Sequence, residues 1–126
     1  MEVEESVEKY KTQSMHYLKN ALHFIEVDDA EKASEFLWGS MAEAIKAVAA
    51  SKGIQLKSHM DLRNHAMELT KVLQDESIRN AFFHAQSLHS NFYETGLLME
   101  DVNICAEEIR ATMAKLFKLV DGGKKK

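Results

Sequence analysis

Apolar residues recur at three- and four-residue intervals along nearly the whole chain, a spacing that predicts helices and no strands. Over about 3–25 the stripe is Val3, Val7, Tyr10, Tyr17, Leu18, Ala21, Phe24 and Ile25, with Glu, Lys and Gln between. Val27-Asp28-Asp29 breaks it. A second helix is predicted over about 29–52, with Asp28 as its cap and Glu31 three residues on, as a capping box wants. Its stripe is Ala33, Phe36, Leu37, Met41, Ala44, Ile45 and Val48. Its other positions are small: Ser34, Gly39, Ser40, Ala42, Ala47, Ala49 and Ala50. A helix that is small on several sides admits close neighbours on each, so this one is read as central. Gly53 is its stop.

The third helix starts at Ser58, with Asp61 three residues later, a second capping box. Leu62, Leu69, Val72 and Leu73 are expected to face inward, and the helix to end near Gln74. Asp75 caps a fourth over about 76–93, ended by Thr95-Gly96. The last runs over about 100–120 on Val102, Cys105, Ala106, Ile109, Met113, Leu116 and Val120. Short connections predict antiparallel neighbours, so the expected fold is an all-α, up-and-down bundle of about five helices.

Composition sharpens this picture. The 126 residues contain no proline, where ordinary usage would give roughly six. With only five glycines as well, a turn-rich sandwich or barrel is excluded. Residues 1–121 are expected to form a single domain, with the GGKKK of 122–126 as a flexible basic tail. No run of 18 uncharged apolar residues exists, so no membrane span is expected. The acidic, polar MEVEESVEKYK start is unlike a signal peptide. One cysteine, Cys105, rules out an internal disulfide framework and suggests a cytoplasmic protein. Net charge is −4, and residues 1–53 carry 6 Lys/Arg against 10 Asp/Glu. A domain-wide basic footprint for nucleic acid is missing.

The candidate chemistry lies on the fourth helix. Elsewhere there is no Gly-rich phosphate loop, no HExxH and no Cys/His zinc spacing. His16 and His23 are seven apart, about 10 Å along a helix, too far to share one ion, and His59 and His65 are little closer. No metal and no cofactor are expected. Cys105 lies on an apolar stripe, the setting of an inert buried thiol. The fourth helix, by contrast, carries Arg79, Asn80, His84, His89, Asn91, Tyr93 and Glu94 beside Phe82, Phe83 and Phe92. Those are the parts of a metal-independent ribonuclease: a base for the 2′-hydroxyl, an acid for the leaving oxygen and a cation for the phosphate. At about 100° per residue, Ile78, Phe82, Ala85, Leu88, His89 and Phe92 share the core face, and Asn80, His84, Ser87 and Asn91 the opposite one. Arg79 points about 140° from His84, so the two do not converge on one straight helix.

Three stretches carry a family resemblance. Asp29-Ala30-Glu31-Lys32-Ala33 leading into Leu37-Trp38-Gly39-Ser40-Met41-Ala42-Glu43-Ala44-Ile45-Lys46-Ala47 resembles the central helix of HEPN-type domains. His59-Met60-Asp61-Leu62 is similar to the start of another of their helices. Ala85-x-x-Leu88-His89-x-Asn91-Phe92-Tyr93-Glu94 resembles the LHxNFYE signature of the archaeal PaREP family, a HEPN-like group. The likeness covers about residues 5–118. It implies a helical bundle, often a homodimer. Many HEPN proteins are metal-independent ribonucleases of toxin–antitoxin or defence systems, with an Arg followed by a His after a short spacer, and Arg79-Asn80-x-x-x-His84 fits that pattern. Their site forms where two subunits meet. Others bind nucleotides or partner a nucleotidyltransferase.

The reading adopted from this is a binding or adaptor module toward nucleotide, RNA or a partner protein. Its expected contacts are His89, Asn91, Tyr93 and Glu94, with Tyr93 and Phe92 stacking bases and Asn91 and His89 bonding edges or phosphate. The alternative is the ribonuclease, with Arg79 on the scissile phosphate, His84 as acid/base and Asn80 orienting either. Trp38 is expected in the core or in a dimer contact.

Overall fold

The chain is described here by a computed structural model covering residues 2–95 and 98–124, with side chains placed for 3–90 and 98–121. Five helices follow one another: α1 (Glu2–Glu26), α2 (Ala30–Ser51), α3 (His59–Leu73), α4 (Glu76–Thr95) and α5 (Met99–Lys124). The described residues contain no strand. Helix α5 continues past the expected end at 120 as far as Lys124, into the segment read from sequence as a tail. None of the helices is long and apolar enough to cross a membrane, among the described residues.

The links are short because the helix ends satisfy their own carbonyls. After α1, Asp29 N–H donates to Phe24 O and Asp28 N–H to Ile25 O, with Asp28 in the left-handed region at φ 62. After α2, Ile54 N–H donates to Ala49 O and Gly53 N–H to Ala50 O, with Gly53 at φ 75. After α3, Asp75 N–H donates to Thr70 O and Gln74 N–H to Lys71 O, with Gln74 at φ 53. These are three copies of one paired-bond helix ending. The first corrects the expected cap of α2. Asp28 is taken up in closing α1, and Asp29 is the N-cap, its carboxylate accepting from Lys32 N–H at 3.1 Å. Ser58 caps α3 as expected, accepting from Asp61 N–H at 3.1 Å, while Asp61 reaches back to Lys57 N–H at 2.8 Å. Asp75 accepts from Ser77 N–H at 3.0 Å and so starts α4.

Helix α2 is central because it is small. Thirteen of its 22 residues are buried, which leaves it no solvent-facing side of any width. Against α1 the approach is close. Ser14 Oγ donates to Ser40 O at 2.7 Å, and Ser40 Oγ returns a bond to Ser14 O at 2.9 Å. A Cβ on Gly39 would meet Tyr17 Cδ2 at 3.0 Å. The Tyr17 ring is held there by Phe36, 5.7 Å away, and its hydroxyl by Gln13 at 2.9 Å. Helix α5 covers another side with Val102, Ile109, Met113 and Leu116, and Met113 Sδ lies 3.0 Å from Ser40 Oγ. Lys11–Asp121 at 3.1 Å links α1 to α5.

Helix α3 buries Leu62, His65, Ala66, Leu69 and Thr70. Val72 and Leu73, expected inside, are exposed. Both lie in the last turn of α3, and Leu73 is the last helical residue, where the chain turns through Gln74. All five helices contribute to one apolar core cluster.

The left-handed Gly53 gives a clean test, since nothing lies within 4 Å of where its Cβ would be. Gly53→Ala then meets backbone strain and no clash. It is expected to lower unfolding stability by about 1 kcal/mol in urea denaturation. Gly53→Asn, which tolerates this region better, should lose visibly less. Equal losses in both variants would contradict the assigned backbone.

Candidate functional site

The cap at Asp75 sets the register of α4. Ile78, Ala81, Phe82 and Ala85 are thereby buried, and Asn80 and His84 stand on the exposed side, as the 3.6-residue period requires. Arg79 is half-buried and forms an ion pair with Glu76 on its own helix. His84 turns to α5, where its Nδ1 lies 2.7 Å from Glu108 Oε1. Arg79 and His84 thus engage different carboxylates in different directions, and nothing in one chain brings them to a shared point. Asn80 is exposed. The helical backbone includes 91–95, but the side chains of Asn91, Tyr93 and Glu94 lie outside the described residues.

Beside His84 runs a groove of about 240 Å³ between α4 and α5. His84, Ser87 and Leu88 form one wall, and Asp101, Ile104, Cys105 and Glu108 the other. Asp101 and Glu108 are seven residues apart on α5, about two turns and 10 Å, with Ile104 between them. Ile104 is 58% exposed, a large aliphatic group left open between two carboxylates. Cys105 is the buried floor, only 2% exposed.

A second gathering unites the three stretches that carry the resemblance. Trp38 of α2 is 8% exposed and touches the rings of His59 at the start of α3 (5.7 Å) and His89 of α4 (6.3 Å, nearly parallel at 16°). Phe82 meets the same indole edge-on at 5.2 Å. His89 is therefore half-buried in aromatic packing, with its ring against Trp38. His59 is exposed. Spacing along the sequence treats His59 only as a partner of His65; its proximity to Trp38 and His89 is purely tertiary.

Burial decides which groups can titrate usefully. The Cys105 thiol is pushed up to about 12, mainly by burial and next by the nearby Glu108 carboxylate, so no thiolate nucleophile forms at neutral pH. Asp75 is held down to about 2 by hydrogen bonds from Ser77 and Lys115, whose ammonium reaches it at 2.9 Å, a tie between the start of α4 and α5. His65 is lowered by burial first and Lys52 second, against Glu68, whose Oε1 is 3.9 Å from Nδ1. Its buried Nε2 has no hydrogen-bond partner. Among the described residues no three His, Cys, Asp or Glu side chains gather as metal ligands.

Glu108, the acid that fixes His84, has no signal in the sequence, and neither has the groove. No local spacing links 84 to 108.

A family model described as the archaeal PaREP1/PaREP8 family matches residues 9–113. No curated protein matches the chain. A crystal structure of a protein from Sulfolobus solfataricus is similar, with a TM-score of 0.75 and 19% identity. The similarity covers 86% of this chain and 96% of that one. At that identity the likeness shows the fold.

The orphaned His65 predicts a pH dependence. Its folded-state value is below the ordinary 6.5, so the unfolded chain binds the proton better. The stability tied to its neutral form is complete above pH 6.5 and is lost as pH falls below it. His65→Leu should raise the melting temperature and flatten its dependence between pH 7 and pH 5. A variant as pH-sensitive as the wild type would show that another group controls this window.

Proposed function

The chain belongs to the archaeal PaREP1/PaREP8 family, and from that premise we propose that it is a binding or adaptor module that recognises a protein segment through the α4–α5 groove. Placement in the HEPN superfamily is consistent with this family and its helical fold. The observation that carries the proposal is the exposed Ile104 between Asp101 and Glu108. That pattern suits an apolar side chain flanked by basic residues on a partner helix, with apolar contact for affinity and charge for register. It does not suit RNA. Two carboxylates line the groove, and the two residues that would handle a phosphate, Arg79 and His84, already face acids. A homodimer, as the resemblance implies, is part of the proposal, and light scattering at twice the chain mass is its test.

One observation favours the ribonuclease as a second reading. A carboxylate on Nδ1 orients an exposed imidazole, the disposition of a general acid or base. In this reading Arg79 must come from a second subunit.

Fluorescence anisotropy separates the two. The probes are a labelled helical peptide with leucine between lysines seven apart, and a labelled single-stranded oligoribonucleotide, both in excess EDTA. The peptide should bind saturably. Ile104→Lys and Glu108→Lys should each weaken it at least tenfold, with the oligoribonucleotide neither bound nor cut. RNA cleavage that survives EDTA and vanishes in both His84→Ala and Arg79→Ala would overturn the adaptor reading in favour of catalysis.

A further inference from the structure

A hollow of about 340 Å³ lies away from the α4–α5 groove, between the start of α1, the end of α2 and the link that follows it. Its lining has three chemical parts. Val3, Ile54 and Leu56 are aliphatic, and Val3 and Ile54 are 47% and 42% exposed. Ser6 and Tyr10, on the same face of α1 as Val3, supply hydroxyls. Lys46 of α2 is the one charged lining group among the described residues. Its amine lies 3.0 Å from Glu43 Oε2 and 5.9 Å from the centre of the Tyr10 ring. Glu43 and Lys46 both belong to the α2 stretch that carries the family resemblance, and the groove makes no use of them.

The charge arithmetic narrows the ligand. Among the described residues no carboxylate lines the hollow, which disfavours a cationic guest. Lys46 has three N–H donors and Glu43 engages one, so donors remain for a second acceptor. Because Glu43 already neutralises much of the ammonium charge, the site matches a monoanion better than a phosphate dianion. A phosphate site would also be expected to offer an arginine fork or several cations, and neither is present among the described residues. The aliphatic wall wants a hydrocarbon body. We propose that this hollow binds a small amphiphilic carboxylic acid, its carboxylate at Lys46 beside the Ser6 and Tyr10 hydroxyls and its chain along Val3, Ile54 and Leu56. The end of α2 tolerates the anion because its last carbonyls are already bonded by Gly53 and Ile54 N–H.

Calorimetric titration of the full chain with octanoate, hexanoate, 1-octanol and octylammonium tests this. Each buried methylene is worth about fourfold in affinity, so octanoate, with two more, should exceed hexanoate by about fifteenfold. Octylammonium should bind at least tenfold more weakly than octanoate. The double variant Glu43→Gln/Lys46→Met removes the charge pair without stranding a lone carboxylate. It should lose octanoate affinity at least tenfold and keep that for octanol. Ile54→Asp should weaken both, and Ile104→Lys in the groove neither. An unaltered melting temperature certifies that each variant is folded. No saturable octanoate binding by the wild type would overturn the proposal. So would octylammonium binding as well as octanoate, an unchanged double variant, or an effect of Ile104→Lys equal to that of Ile54→Asp.

Discussion

Everything in this bundle is hung on the close approach of α1 to α2. Two buried hydroxyls, Ser14 and Ser40, each donate to the other's backbone carbonyl, so the seam is bonded from both sides. Each such bond is worth only about 1 kcal/mol net, but removing one leaves a buried carbonyl short of its donor at a cost of roughly 1–3 kcal/mol. Gly39 leaves just enough room for the Tyr17 ring, and that ring begins an aromatic chain through Phe36 to Phe24, whose rings stack at 5.6 Å. With one side of α2 so tightly closed, its other sides receive α5, α4 and α3. Met113 of α5 meets Ser40 from behind, and Trp38 receives Phe82 of α4 and His59 of α3.

That arrangement also places the exposed chemistry. Packing of Ile78, Phe82 and Ala85 against the core turns His84 outward to Glu108. Packing of Val102, Cys105 and Ile109 turns Asp101, Ile104 and Glu108 toward the same groove. Lys115 pins the first turn of α4 to α5 through Asp75 and Ser77, which holds the groove's far end in register. The proposed recognition face is thus a by-product of how two amphipathic helices bury their other sides. The hollow by Lys46 has a different origin, where α1 and the end of α2 meet the 53–56 link.

Much of the fold was legible because it rests on local periodicity. The helices, the Ser58 and Asp75 caps and the Gly53 stop follow from spacing and residue type. The exceptions have physical causes. Asp28 and Asp29 are equally good caps by type, and only the left-handed closure of α1 decides between them. Leu73 has the right phase but sits at a helix end, where the chain turns away. Ser14 is polar by type, yet a partner across the seam makes it fully buried. The site was less legible. His84 could be seen, but Glu108 could not, since their contact spans two helices. The convergence of Trp38, His59 and His89 is likewise set by packing and not by spacing.

The α4–α5 groove is proposed to recognise a basic-apolar protein segment and not nucleic acid. Amide chemical-shift mapping of the isotope-labelled chain tests it most directly, with the leucine–lysine peptide and the oligoribonucleotide titrated in turn. Peptide-induced shifts confined to about 84–88 and 101–108, a silent α1–α2 seam and no response to RNA are expected. Shifts around Arg79 and His84 on adding RNA, with the peptide inert, would contradict it.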